Sequence, residues 1–378
     1  MNEIDLLVET FKKPERKILG MMSGTSADGL DLVLISVNGC GKSTKCVIER
    51  TAHFDYPDDL RKQILESMKA DALMRDVCSL DFELGEFFGD CARKFLGDEK
   101  IDLISSHGQT VFHNPPGRTK HACTYQIGDG DIIAMRSGVI TVSDFRIKDI
   151  EAGGEGAPLV PHADYILYSS ESESIALNNL GGISNVTYIP VRAREDQIMA
   201  FDTGPANALI DLITRKYFDV SFDKDGSISA NGKVDAELFE SLKSKEMDYI
   251  LKMPPKSTGK EIYNEGYLPA NSLNPYDLLR TVVKFSAWSI YESYKIHVIP
   301  KGLDRIILTG GGAMNKTLVG DIKMYFGKIP VEILKDWQWR EAEAFAILAN
   351  ELICGNPSNN PKVTGAGYPV LLGKISLP

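Results

Sequence analysis

The stretch KILGMMSGTSADGLDLVLISV, residues 17–37, decides the fold. Two largely apolar runs, Lys17–Met22 and Asp31–Val37, flank a turn of small and polar residues, so the segment reads as two buried strands joined by a hairpin. A third strand is expected over 46–53, after a polar turn. Further on, Val77, Leu80, Leu84, Phe87, Cys91 and Phe95 recur at spacings of three and four, the apolar stripe of an amphipathic helix. Residues 101–106 make a short apolar strand that ends at Ser106, His107 and Gly108.

The second half repeats this order. Strands are expected over 174–180, 186–190 and 197–201, and Gly181 and Gly182 stand between the first two. A helix over about 206–217 would bury Leu209, Leu212, Ile213 and Tyr217. Asn274, Pro275 and Asp277 supply a cap, a first-turn proline and a first-turn acid, so a long helix starts there and buries Leu279, Val283, Ile290 and Tyr294. A strand over 305–309, a helix from about 315, a strand over 331–334 and a helix over 341–354 complete the half. A mixed-sheet unit used twice predicts two similar α/β domains, 17–173 and 174–378, with the last helix free to return to the first. Residues 1–16 form an N-terminal tail outside both.

Composition narrows the function. The chain has 378 residues and a net charge of −10, with no window rich in Lys or Arg, which disfavours a nucleic-acid partner. No run approaches membrane-spanning length, and acidic residues interrupt the N-terminal apolar positions, so a soluble cytoplasmic protein is expected. The six cysteines show no CxxC pair or zinc spacing and are expected to be reduced.

Several stretches carry chemistry. Gly24, Thr25, Ser26, Ala27, Asp28, Gly29, Leu30 and Asp31 combine close backbone approach, hydroxyl donors and carboxylates, which suits a nucleotide phosphate, with Asp28 able to hold Mg²⁺ directly or through water. The Gly181–Gly182 turn has the same logic without a carboxylate of its own. Gly310, Gly311 and Gly312, followed by Asn315, would let a flat base lie against backbone. Asp202 closes a strand just before a helix, where a helix cap and a general base are equally good readings. Gly41-Lys42-Ser43 imitates a P-loop, but Ser36 stands where its first glycine belongs, and the stretch is a hairpin loop. Residues 143–158 pack charges and glycines into what reads as a binding loop, and His107 is either a site residue or a satisfied buried histidine.

Taken in order, GMMSGTSADGLD, SSHGQTVFHNP, YQIGDGDIIA, SDFRIKDIEAGGEGAPLVP, NLGGISNVT, FDTGPANALID, PPKSTGKEIYN, LTGGGAMN, WREAEAFA and VTGA resemble the anhydro-N-acetylmuramic acid kinase family, across nearly the whole chain. The resemblance implies two duplicated ribonuclease H-like (actin-like ATPase) domains with the active site in the interdomain cleft. It implies ATP and Mg²⁺ as cofactors, an anhydro sugar as the small-molecule partner, and allows a homodimer. By this resemblance Asp202 is the catalytic base, Gly24–Asp31 bind ATP, and Arg146 and Glu341 contact the sugar, with His107 and Asp144 as further candidates. Glu151 and Glu155 stand where the family pattern has alanine and glutamine. Two alternatives remain: a kinase of another 1,6-anhydro sugar such as levoglucosan, and a non-enzymatic actin-like or chaperone ATPase.

Overall fold

The computed structural model describes residues 2–117, 120–269 and 272–378. The chain divides into two units, Met1–Leu167 with Trp339–Pro378, and Tyr168–Gln338.

In the first unit the expected hairpin is β1 (Glu15–Ser23) and β2 (Gly29–Asn38), continued by β3 (Lys45–Asp55). After two helices come β4 (Leu103–Asn114), β5 (Cys123–Ile127) and β6 (Thr141–Ser143). The sheet order is β3-β2-β1-β4-β6, with Lys374–Ser376 on the β6 edge and β5 paired to the far half of β4. The first three strands run antiparallel, while β4 is parallel to β1 and β6 parallel to β4. Helix Met74–Leu96 covers one face through Val77, Leu80, Leu84, Phe88 and Cys91. A fully buried Leu or Phe of this kind contributes roughly 1.5–3 kcal/mol. Helix Arg340–Cys354 lies against β1, β2 and β4. It comes so close that a Cβ on Gly20 would overlap the Ala342 carbonyl.

The second unit has the same plan: β7 (Ile175–Leu180), β8 (Ile183–Ile189), β9 (Met199–Pro205), β10 (Arg305–Thr309) and β11 (Val331–Ile333). Their order is β9-β8-β7-β10-β11, again a three-stranded antiparallel meander followed by two parallel strands. One strand order realised twice gives the two similar α/β domains expected from the repeat, in the ribonuclease H-like, actin-like form that the resemblance implies. The long helix Pro275–His297 starts where the cap residues indicate, with the Asn274 side chain accepting from Asp277 N–H, and buries Leu279, Val283, Ile290 and Tyr294.

Four expectations are corrected. The second domain does not run to 378: the last forty residues, Trp339–Pro378, belong to the first unit, because helix Arg340–Cys354 buries its apolar face on that sheet. The tail is not free of the fold. Helix Glu3–Lys12 is capped by Asn2, and the buried Arg16 guanidinium donates to Thr10 O and Asn350 Oδ1 at 3.1 and 2.9 Å. Cys40 and Cys354 form a disulfide across a separation of 314 residues, which sequence spacing could not reveal, while Cys46, Cys78, Cys91 and Cys123 are free. Tyr217 is exposed, and Phe218 takes the packing position against Tyr276.

Candidate active site

Within the first unit, the β1–β2 turn is closed by Ala27 N–H donating to Gly24 O at 3.1 Å, with Ala27 in the left-handed region at φ 48°. Its floor is built from buried polar groups: Tyr56 Oη donates to Ser23 Oγ at 2.7 Å, and Ser23 Oγ donates to Gln109 Oε1 at 2.5 Å. Arg61 Nε holds Ala27 O from the side at 2.9 Å. Thr25, Ser26 and Asp28 remain exposed, and Ser26 Oγ donates to Asp28 Oδ1 at 2.9 Å. Leu30 and Ala27 are buried, so only their backbones can face a ligand. Asp31 meets His53 Nδ1 at 2.7 Å; burial raises its carboxyl and His53 opposes the shift.

The two glycines of this turn differ in kind. A Cβ on Gly29 would overlap Phe54 O and His53, so the fold requires that glycine. A Cβ on Gly24 would meet only Ser26 Oγ at 3.6 Å, and Gly24 is not among the residues with positive φ. No neighbouring atom demands a glycine there, so the backbone face at Gly24 is open.

The expected sugar residues lie in the same unit. Arg146 Nη1 donates to Gly156 O at 2.7 Å, and Nη2 meets His107 Nε2 at 2.7 Å. A guanidinium only donates, so Nε2 is the acceptor, and the proton on Nδ1 goes to Gly108 O at 2.7 Å. Burial and Arg146 together push His107 down to about 3, so it stays neutral. With both nitrogens engaged, His107 orients Arg146 and has no ring nitrogen left for a sugar. Arg146 is itself pushed down to about 10 by burial, against the pull of Glu341 and Asp149, and its guanidinium lies 5.9 Å from the Phe345 ring centre. Glu341 is exposed, with Arg340 and Arg146 as cationic neighbours and Asp31 as an anionic one. Arg340 is pinned by the buried Asp164. Asp144 adopts φ 54°, lies 4.0 Å from Lys374 Nζ, and is raised by burial.

Sequence reasoning missed Asp149, which is fully buried. It accepts from Gly156 N–H, Asn359 Nδ2 and Thr364 Oγ1 at 2.8, 2.8 and 2.7 Å, fastening the 146–158 loop to the C-terminal segment. Three donors on one carboxylate are legible only once the fold brings 149 and 359–364 together.

Within the second unit, Asp202 lies inside β9 and caps no helix. Helix Ala208–Phe218 begins after Asn207, whose side chain makes no cap, and Thr203 Oγ1 bonds Ser184. Burial pushes the Asp202 carboxyl up to about 6, opposed by Thr258 N–H, which donates to Oδ2 at 2.9 Å, and by Lys256. Asp202 N–H donates to Lys256 O at 3.0 Å, and Tyr249 Oη donates to Asp202 O at 2.9 Å. Lys256 is pushed down to about 8 by burial, and its ammonium donates to Tyr249 O and Ile250 O. The segment carrying Lys256 and Thr258 is anchored further on by the buried Glu246, which accepts from Tyr263 Oη at 2.8 Å and from Tyr267 Oη. Sequence reading assigned no role to these groups; the only signal was that PPKSTGKEIYN, 254–264, is one of the stretches that carry the family resemblance.

Two glycine loops end neighbouring strands of this unit, because Thr309 of β10 registers with Asn179 of β7. The carbonyls of Gly181 and Gly182 accept from Asn207 and Ala208 N–H at 3.0 and 2.9 Å, joining the turn to the helix start. Gly310, at φ 77°, and Gly312 are required by Asn179, Asn207 and Leu180 nearby, whereas a Cβ on Gly311 meets nothing within 4 Å. Asn315 is buried and caps helix Lys316–Phe326 by accepting from Leu318 N–H at 3.0 Å, so its side chain serves the fold.

A repeated actin-like sheet with a glycine turn after each first strand, and a desolvated carboxylate on β9, places the protein in the class of actin-like ATPases and kinases. The chain belongs to the anhydro-N-acetylmuramic acid kinase family, whose model matches residues 16–378. Proteins named anhydro-N-acetylmuramic acid kinase share 40% identity in Caldanaerobacter subterraneus subsp. tengcongensis, covering 99% of this chain and 100% of the relative. The Clostridioides difficile protein of that name shares 39%, covering 95% and 97%. Similarity to solved structures is remote. A dehydratase activator from Clostridium difficile with bound ADPNP gives a TM-score of 0.42 at 12% identity, covering 89% of this chain and 95% of that one. A ROK family glucokinase from Streptomyces griseus gives 0.39 at 10%, covering 89% and 99%. The strand order carries the fold assignment without them.

Proposed function

We propose that this chain is an ATP-dependent kinase that opens the 1,6-anhydro ring of 1,6-anhydro-N-acetylmuramic acid with water and phosphorylates the freed 6-oxygen. The product is N-acetylmuramic acid 6-phosphate, and the reaction serves cell-wall sugar recycling in the cytoplasm, where ATP is supplied. The observation that carries the reading is Asp202, a carboxylate raised to about 6 by burial, held by Thr258 N–H and spent on no helix cap. A base with a pKa somewhat below neutrality is ionised at working pH yet still takes a proton effectively.

The chemistry follows from that group. Asp202 accepts a proton from water as the water oxygen attacks the anomeric carbon, and the bond from that carbon to the bridging 6-oxygen breaks. The 6-oxygen takes the electron pair and attacks the γ-phosphorus, and ADP leaves. Arg146, aimed by His107 and Gly156 O, and Glu341 beside it are assigned to holding the sugar. The Gly24–Asp31 turn is assigned to the phosphates, and the Gly310–Gly312 loop, open at Gly311, to the adenosine.

Magnesium fits this donor set in one form only. No group of three or more His, Cys, Asp or Glu among the described residues could hold a metal, whereas Mg²⁺ is commonly bound through one or two carboxylates, water and substrate phosphates. The exposed Asp28 supplies such a carboxylate. When bound, the ion would neutralise charge on the β- and γ-phosphates.

The test is ADP formation by the purified protein, measured with 1,6-anhydro-N-acetylmuramic acid, with levoglucosan and with no sugar. Turnover dependent on the first sugar is expected. Equal turnover without sugar would support the actin-like or chaperone ATPase instead, and preference for levoglucosan would reassign the substrate.

A further inference from the structure

We propose that Lys260 is a polyphosphate-binding residue of the nucleotide site, placing its ammonium over the Gly181–Gly182 turn; this rests on the nucleotide assignment of that turn made above. The geometry begins with Gly182. A Cβ there would overlap Lys260 Cε and lie 3.1 Å from its Nζ, so the lysine stem lies directly on the turn backbone. The missing side chain at 182 leaves room for the end of the lysine, and the lysine is exposed. Its ammonium makes no hydrogen bond or ion pair with a protein group among the described residues. A lysine commonly lays its stem along the protein surface and keeps its charged head free for water or a ligand. Here the surface under the stem is a glycine turn.

The position is held from both sides. Two residues earlier, Thr258 N–H donates to Asp202 Oδ2 at 2.9 Å; further on, Tyr263 and Tyr267 are tied to the buried Glu246. Lys260 therefore sits between two anchors on one short segment, and the first anchor is the proposed base itself. The Gly181 direction beside it is open: a Cβ would be in ordinary contact with Ile183 O at 3.4 Å and Asn179 Nδ2 at 3.7 Å, and Gly181 is not among the positive-φ glycines. The fold does not require glycine at 181, so there is room for a ligand against the backbone. The half-buried Asp211, in the first turn of the helix that starts beside the turn, is raised to about 6 by burial, with Arg215 and Lys260 opposing the shift. Lys260 is thus near enough to act on that carboxylate, yet not paired with it.

The chemistry asks for such a group. The protein carries a net charge of −10, and the Gly181–Gly182 turn has no cation of its own. A polyphosphate needs positive charge at its oxygens, and phosphoryl transfer concentrates negative charge on the transferred group. Lysine acts here as a mobile point charge with three donors. Because the same segment touches Asp202, binding of phosphate at Lys260 also fixes the loop that supplies Thr258 N–H.

The experiment measures nucleotide affinity by calorimetry for Lys260→Met, Lys260→Arg and the unaltered protein, with ADP, AMP and adenosine, beside melting curves. Methionine keeps a stem over Gly182 without charge. Lys260→Met should bind ADP about ten- to a hundredfold more weakly, leave adenosine unchanged, and lie between for AMP. Lys260→Arg should recover most of the ADP affinity. Equal ADP affinity in Lys260→Met and the unaltered protein overturns the proposal, as does an equal loss for adenosine and ADP, which would report packing alone. Unfolding of both variants would likewise assign Lys260 to the fold and overturn it. If the unaltered protein binds ADP through Lys260 but no anhydro sugar stimulates turnover, the kinase reading fails while this one stands.

Discussion

The β1–β2 turn and the β7–β8 turn occupy the same place in two sheets of the same strand order. The first carries its own chemistry: exposed Thr25, Ser26 and Asp28 over a floor of Ser23, Tyr56 and Gln109. The second has glycine and apolar residues in the turn, and its polar equipment arrives from outside, as Lys260 lying on Gly182 and Asp202 on the next strand but one. One scaffold is used twice, and the side chains brought to each turn differ: acidic and hydroxyl-bearing at the first, a lysine and a desolvated carboxylate at the second. The glycines differ as well: Gly29 is demanded by the Phe54 backbone, Gly182 faces only the flexible end of Lys260, and Gly24 and Gly181 meet no close neighbour.

The strongest way to break this division is Asp202→Asn. If the second unit holds the base, turnover falls by about 10²–10⁴-fold, since an amide takes no proton from water, while ADP affinity by calorimetry stays within about twofold. Undiminished turnover would leave the second turn without its catalytic partner.

Next comes the glycine contrast, tested inside the first turn. Gly24→Val should weaken ATP binding by about tenfold or more, as lost contacts to charged phosphates would, with a melting temperature near that of the unaltered protein. Gly29→Val should cost about 1–3 kcal/mol of stability by overpacking against Phe54 and His53. Titration and melting curves on the pair separate the two kinds of glycine, and identical behaviour would erase the distinction.

The smallest effect is in pH. Burial raises the Asp202 carboxyl to about 6, so the anion needed as a base is lost as pH falls through that value. The rate constant kcat/KM should therefore drop about fivefold from pH 6 to pH 5, and the drop should be absent in the residual activity of Asp202→Asn. A profile flat to pH 5 would mean that Asp202 does not titrate in the rate-determining step.

Much of the scaffold was legible because it is local. Glycine turns between apolar runs marked both hairpins, Asn274 and Pro275 marked the long helix, and repetition of the order marked the duplication. What stayed hidden depends on distant pairing. Residues 101–106 gave only the start of β4; its far half is a strand because β5 pairs with it, through a bend at Gly108 with φ 72°. The short strands β6 and Lys374–Ser376 are too brief to show a period and exist through each other. The bond from Cys354 to Cys40 is of the same kind, whereas the return of the last helix to the first unit was a possibility the repeat left open. At the site, Asp202 remained tied between cap and base on spacing alone, and its release from capping became visible only with Asn207 at the helix start. His107 could be named but not understood, because its partner Arg146 lies 39 residues away. Lys260 had no signal beyond its place in one of the stretches that carry the family resemblance, since what marks it is contact with a glycine in another hairpin.

The central claim, that water opens the anhydro ring with Asp202 as base while ATP phosphorylates the freed oxygen, is tested most directly by turnover in ¹⁸O-labelled water followed by mass spectrometry of the product. The account predicts one label per turnover on the anomeric hydroxyl of the sugar phosphate and none in the phosphoryl group. Label in phosphate, or an unlabelled anomeric oxygen, would contradict it.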